Sequence, residues 1–371
     1  MSKYHARKVT YSHRQWFFYI LPRLLIVPLI WDGLAYLANW LIGEALSKLI
    51  LPAQSMGLPS SFNYPKDGKN LAYHKVILQD GTNLDTIEYS HPSQQSKPAS
   101  DKTYIINFLG NATMYEDVCS QFESDSNKLQ CNVVGFNFRG VGRSRGVPKS
   151  KNDLVEDAIA QVQRLLDAGV TPHHITLKGH SLGASIATLT AAHFHWQGIN
   201  INLFNGRSFS SLTHWVLGKV RVINTDNRHE PTLTGKVLAW LLTPIIKITL
   251  LLSGWEINAE QAYKSIPEKH REYLVVRSPD EHLTNNTLDD TVIPYYASIH
   301  SALKRSDRHE QSKFVVKGSP WLDGHNVHLE ELNQTSLPGL NGSLFFRSFV
   351  RRVSEVKLEK EFEVMSPMNV S

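Results

Sequence analysis

The stretch HHITLKGHSLGASIATLTAAHFH, from His173 to His195, constrains this chain more than any other. It begins as a short β-branched strand, passes through Gly179-His180-Ser181-Leu182-Gly183, and continues as a helix rich in Ala and Thr. A strand that becomes a helix across one serine, with glycine on either side, has the form of a nucleophile elbow. The glycines answer a steric demand. Such a bend holds the serine in a strained conformation and brings helix and strand too close for flanking side chains. The new helix also aims free N–H groups and its positive dipole end at the reacting oxygen. Ser181 is therefore the expected nucleophile. The alternative, a serine capping an ordinary helix, leaves both glycines unexplained.

The surroundings suit an elbow. From Asn70 onwards short strands and helices alternate, which indicates an α/β fold with a largely parallel sheet. YHKVILQDGTNLDTIEYS reads as a hairpin turning at Asp80-Gly81. TYIINFLG and NVVGFNFRG are apolar runs of the buried-strand type. A helix follows from Ser150 to Ala168, with Ser150 and Asp153 spaced for a capping box and Gly169 at its exit. The strands NINLFNG, EYLVVRS and SKFVVKG come later, with helices expected at IPYYASIHSALKR and SLFFRSFVRRV.

A serine hydroxyl attacks poorly until a base takes its proton, so an acid and a histidine should follow in the order Ser, acid, His. Asp280 and Asp290 both lie beyond EYLVVRS. Asp290 is preferred because an acid, two residues, an apolar residue and a proline form a familiar acid loop. Asp289 reads as its solvated neighbour. In GSPWLDGHNVHLEEL, after the last strand, His325 is the expected base and His328, at the start of the next turn, its rival. His180 reads as a packing residue turned away from the serine's face. Two oxyanion donors are expected: the Leu182 N–H and, across the loop LGNATMYE, the Asn111 N–H, with Gly110 allowing close approach. Leu109 stands where a histidine often precedes that glycine. Arg139, in FRGVGRSRGVP, reads as a brace of the site floor ahead of a substrate contact.

Two regions break the α/β rhythm. Residues 1–60, a boundary drawn from composition, hold a basic leader, MSKYHARKVTYSHRQ, and an apolar run interrupted by Pro22, Arg23, Pro28 and Asp32. The run lacks a clean span of about 20 uncharged residues, and no small-x-small cleavage site follows it. It reads as an interfacial membrane anchor or as helices packed on the domain over 61–371. The second region, about 207–270, carries GKVLAWLLTPIIKITLLLSGW. It reads as an apolar helix pair forming a lid, or as the core of a small cap. Cutting off the arm is expected to leave the fold intact.

Composition excludes other classes. The 371 residues are 42% hydrophobic with a formal charge of +5, and the basic residues are scattered, so nucleic acid is not an expected partner. Basic residues beside apolar segments suit an anionic membrane surface. With Cys119 and Cys131 alone, a disulfide scaffold is not expected. No metal-type cluster, P-loop or GxGxxG is present, and no cofactor is expected.

The motifs LGNATMYE, NFRGVGRSRGVP, GHSLGA and DDTVIP, in that order, resemble the α/β-hydrolase superfamily from Tyr73 to Val353. DLVEDAIAQVQRLLDAGV, LFNGRSFSS and GWEINAEQAYKSIPEKHREYLVVRS look like the α/β-hydrolase effectors that Legionella-type bacteria deliver through the Dot/Icm type IV secretion system. The resemblance implies a triad of Ser181, Asp290 and His325. It also implies a path from bacterial cytoplasm to host cell, with host partners unidentified. The expected activity is hydrolysis of a lipid or other ester at a membrane. A soluble short-chain esterase or thioesterase, and a non-catalytic interaction module, are the alternatives.

Overall fold

The computed structural model describes residues 1–7, 26–58, 70–222, 231–276, 290, 292–303, 311–316, 324–334, 337 and 339–365, with the side chains of 26–29 and 355–365 set aside. Its spine is a ten-stranded sheet: β1 Ser2–His5, β2 Leu71–Ile77, β3 Asn83–Tyr89, β4 Tyr104–Phe108, β5 Asn132–Phe136, β6 Ile175–His180, β7 Asn202–Gly206, β8 Arg271–Val276, β9 Lys313–Val316 and β10 Leu332–Gln334. The spatial order is β1-β2-β3-β5-β4-β6-β7-β8-β9-β10. From β5 across to β9 every pairing is parallel, while β3 meets β2 and β5 antiparallel and β10 closes the far edge antiparallel. The swap of β4 and β5 opens a crevice at the carboxyl ends of the strands, where open α/β sheets bind ligands.

The central strands are apolar because both faces are covered. All five residues of β4 are buried, and they alternate. Tyr104, Ile106 and Phe108 join the larger core cluster, while Ile105 joins the one on the opposite face. The larger core lies under α1 (Ile26–Ile50), α3 (Lys151–Asp167), α4 (Leu182–Trp196), α6 (Leu233–Leu252) and α7 (Ala259–Ser265); α2 (Cys119–Leu129) and α8 (Gly342–Met365) cover the other side, and α5 (Leu212–Arg221) precedes α6. Gly135 in β5 exists for α2, since a Cβ there would stand 2.1 Å from the Phe122 ring. Each fully buried Leu, Ile or Phe contributes about 1.5–3 kcal/mol. At the start of α3, Asp153 accepts the Ser150 N–H at 2.9 Å. Beyond the helix, Gly169 turns the chain at φ +87°.

The structure refines these expectations at four points. The basic leader is not wholly an appendage, because Ser2–His5 extends the sheet edge in parallel with β2. The boundary near residue 60 lies beyond Leu51 and Ala53, which are buried in the larger core, so a cut there opens the core. The helix expected over IPYYASIHSALKR is two single turns, Tyr295–Ala297 and Ile299–Ala302. Pro294 and Ser298 hold extended backbone, and the Ser298 hydroxyl caps the second turn. Pro244 lies inside α6, which is continuous over its 20 residues.

α6 packs on α5 and on α1. Among the described residues it is the helix long and apolar enough to cross a membrane, with a mean hydropathy of 1.7. α1 is held to the domain by its carboxyl half. Asn39 donates to the Lys149 and Ser253 carbonyls, both at 2.7 Å, and the Gly43 carbonyl accepts from the buried Trp255 indole at 2.9 Å.

Candidate active site

Ser181 is the single residue between β6 and α4, and it holds φ +55°, ψ −124°. That conformation is costly for any residue with a Cβ. A helix-capping serine would be extended, with its hydroxyl accepting an N–H of the first turn; Ser181 does neither. Its own N–H is tied to the Gly206 carbonyl at the end of β7, at 3.0 Å. The glycines have distinct duties. A Cβ on Gly179 would sit 2.2 Å from Ala184 Cα, so Gly179 lets α4 lie on the strand. A Cβ on Gly183 would sit 2.3 Å from the Leu109 carbonyl, so Gly183 lets the helix meet the end of β4. The elbow is thus braced from both neighbouring strands.

Asp290 and His325 come together from separate loops. The Nδ1 of His325 stands 2.9 Å from Asp290 Oδ2, and both side chains are buried. The other carboxylate oxygen accepts the N–H groups of Val292 (2.9 Å) and Ile293 (2.7 Å). This explains the spacing between acid and proline, because those two amides fix the carboxylate. With a carboxylate as acceptor, Nδ1 carries the imidazole proton and Nε2 is left as the basic nitrogen. His180 and His325 lie with ring centroids 4.7 Å apart. The His180 imidazole is held well below its ordinary range, chiefly by burial and then by the charges of Arg207 and His325. It stays neutral, and its ring packs on the second imidazole.

Ser181, Leu182 and Asn111 line one pocket. Gly110 stands beside them, and a Cβ there would be 3.3 Å from His180 Cδ2 and 3.8 Å from Ser181 Cβ. The Asn111 carbonyl accepts the Ala53 N–H at 3.1 Å, so the segment after α1 braces this loop. Leu49 and Ile50, at the end of α1, and Phe209, Leu212 and Trp215 supply apolar walls. That the amino-terminal arm helps build the pocket was not legible beforehand. The arrangement offers a strained hydroxyl with apolar room beside it, and a carboxylate-oriented imidazole packed on the ring of the residue before that serine.

The remaining candidates fall elsewhere. Asp280 and Asp289 lie outside the described residues. His328 is exposed, and its backbone N–H donates to Glu331 at the start of the turn Leu329–Glu331. Arg139 is engaged as a brace, giving its backbone N–H and Nε to Asp157 at 2.8 Å and its Nη1 to Asp80 and Asp153. Cys119 and Cys131 are free and buried, and burial pushes the Cys119 thiol up to about 11, so neither rivals Ser181 as nucleophile. Among the described residues no group of His, Cys, Asp or Glu assembles to hold a metal. Sequence reading passed over Arg207, a buried side chain whose backbone is left-handed at φ +53°.

The strand order and the elbow are those of the α/β-hydrolase fold. More narrowly, residues 105–236 match the family model for lipase (class 3). That match contains Asn111 and Ser181 and ends before Asp290 and His325. The chain is similar to the alpha/beta hydrolase domain-containing protein 17C of Mus musculus, 34% identical over 23% of this chain and 27% of that protein. It is also similar to the putative alpha/beta hydrolase L404 of Acanthamoeba polyphaga mimivirus, 30% identical over 33% of this chain and 47% of that protein. The match thus spans about a quarter to a half of the length of these relatives. Among solved structures, an alpha-beta hydrolase from Vibrio vulnificus aligns with a TM-score of 0.48 at 16% identity, over 65% of this chain and 77% of that one. A Pyrococcus furiosus esterase aligns with a TM-score of 0.41 at 15% identity, over 69% and 86%.

Proposed function

We propose that the protein is a serine hydrolase that cleaves a carboxylic ester, and that it works on lipid at a membrane surface. Ser181 attacks the ester carbonyl while His325 Nε2 takes its proton. Asp290 holds the imidazole and balances the imidazolium. The backbone N–H groups of Leu182 and Asn111 receive the oxyanion. His325 then returns the proton to the leaving alcohol, and a second pass with water frees the acid and restores the serine. The observation that carries this reading is the 2.9 Å contact between His325 and Asp290, together with the positive φ of Ser181 between strand and helix.

The lipid assignment rests on the surface around the pocket. α1 exposes Trp31, Tyr36 and Trp40, and the adjoining α6 exposes Leu233, Trp240 and Ile245. Aromatic residues among aliphatics are the composition of interfacial helices. The end of α1 also lines the pocket, so a bilayer under these helices would lie close to the serine. The sequence resemblance to Dot/Icm effectors supports a further proposal, action inside a host cell after type IV secretion. A translocation reporter fused to the chain would be delivered to host cytosol by a Dot/Icm-competent strain and not by a transport-deficient one.

The central test is turnover of a short and a long p-nitrophenyl ester, with and without anionic vesicles. Wild type is expected to hydrolyse both, the long ester faster with vesicles. Ser181→Ala should lose on the order of a millionfold in kcat and Asp290→Asn about ten-thousandfold. Turnover unchanged in Ser181→Ala rejects the mechanism. Turnover of the short ester alone, indifferent to vesicles, rejects the lipid assignment.

A further inference from the structure

Asn205-Gly206-Arg207, at the end of β7, contacts both the elbow and the histidine loop. Asn205 Nδ2 donates to Thr188 Oγ1 at 2.8 Å and to the Ala184 carbonyl at 3.3 Å, both inside α4. The Gly206 carbonyl accepts the Ser181 N–H at 3.0 Å. A Cβ at Gly206 would stand 2.9 Å from the Gly179 carbonyl, so the two strands meet here with no side chain between them. Arg207 then reaches the other way. Its Nη1 donates to the carbonyls of Gly324 (3.1 Å), His325 (2.7 Å) and Val327 (2.9 Å). Its backbone N–H is tied to the Leu274 carbonyl of β8 at 2.8 Å.

The histidine loop needs such an anchor. His325 is remote in sequence from the elbow and stands on a loop, where backbone is less constrained than in the sheet. The Asp290 contact holds a ring nitrogen of His325 and not the loop backbone. Three carbonyls gathered on one guanidinium nitrogen fix that backbone. The two Nη1 N–H bonds, shared among these carbonyls, lie fixed in the guanidinium plane, whereas the N–H bonds of an ammonium rotate at the end of a flexible stem. The left-handed φ of Arg207 also has a use here, since it turns the side chain off the strand line towards the loop. Arginine is tolerated where glycine would be easier.

We infer that Arg207 is a positioning residue for the base: through the backbone of residues 324–327 it holds His325 in line with Ser181, whose amide is held by the preceding residue of the same tripeptide. The inference rests on the reading of Ser181 and His325 as nucleophile and base. Arg207 acts through those backbone carbonyls, and its effect is on kcat.

The test compares Arg207→Gly and Arg207→Lys with wild type on the short p-nitrophenyl ester. Glycine suits the left-handed backbone, so Arg207→Gly removes the clamp without adding strain, and a melting curve confirms folding of each variant. Both variants are expected to lose about a hundredfold in kcat, the cost of misplacing a catalytic group by about an ångström, while KM stays within about threefold of wild type. Guanidinium chloride at low millimolar concentration should restore Arg207→Gly at least several-fold, and an equal concentration of sodium chloride should not. Full kcat in Arg207→Lys, or a raised KM with unchanged kcat, overturns the inference and leaves the triad reading standing. Wild type that neither turns over ester nor reacts with a fluorophosphonate overturns the triad reading and this inference together.

Discussion

Two helices of similar apolarity meet opposite fates. α4, behind the elbow, has 12 of its 15 residues buried. α6 is mostly apolar, interrupted by Lys236 and Lys247, yet only Gly235, Ala239 and Leu250 of its 20 residues are buried. The difference lies in side-chain size. α4 offers Gly, Ala, Ser and Thr to its neighbours, so backbones approach closely and the helix can start hard against two strands. Two of its buried hydroxyls are satisfied within the helix, Thr188 and Thr190 donating to carbonyls one turn back. α6 offers Leu, Ile and Trp, of which Trp240 is 74% exposed and Leu233 79% exposed. An apolar helix of small residues is a scaffold for chemistry. One of large residues left facing outward is a surface in want of a partner, and on the account above that partner is a bilayer.

The comparison breaks most readily at the elbow. Gly183→Ala would press a methyl group onto a backbone carbonyl. We expect a loss of at least about 3 kcal/mol, the upper part of the range for core overpacking, read as a fall in melting temperature together with loss of ester hydrolysis. A matched pair of truncations sharpens the contrast. Ile186→Ala in α4, wholly buried, should cost about 2–5 kcal/mol. Leu241→Ala in α6, 54% exposed, should change stability by no more than about 0.5 kcal/mol. Denaturant unfolding measures both, and equal losses would mean that α6 is core.

The surface role makes the converse prediction. Trp240→Glu with Leu241→Glu should leave stability and short-ester turnover unchanged. Partition onto anionic vesicles should fall about a hundredfold or more, since each apolar side chain withdrawn from lipid forfeits about 1.5–3 kcal/mol. Co-sedimentation with vesicles reads it. The smallest effect is expected at His180. Because burial depresses its pKa, the charged form is disfavoured and the ring stays neutral as pH falls through the usual imidazole range. His180→Asn should therefore leave the acid limb of the pH–rate profile where it was. A shifted limb would show that His180 titrates with the reaction.

What the sequence discloses depends on how local the physics is. The elbow was legible because its steric demands fall on Gly179 and Gly183, two residues either side of Ser181. The acid loop was legible because the amides that fix Asp290 belong to Val292 and Ile293, within three residues of it. The pairing of Ser2–His5 with β2 was not legible, because that edge contact is remote in sequence and a basic leader carries no strand period. Nor was the broken helix after Pro294: its apolar spacing suits a helix, while the backbone at Ser298 is extended. Arg207 escaped notice for the same reason as the pocket wall formed by Leu49 and Ile50. What each does is set by a segment that only the folded chain brings near.

The most direct measurement is covalent labelling of the wild-type protein with a fluorophosphonate, followed by mapping of the modified peptide. Phosphonylation at Ser181 within KGHSLGASIATLTAAHFH, abolished in Ser181→Ala and strongly slowed in His325→Ala, is the predicted result. Label on another serine, or no label on folded protein that still hydrolyses ester, would contradict the assignment of the nucleophile.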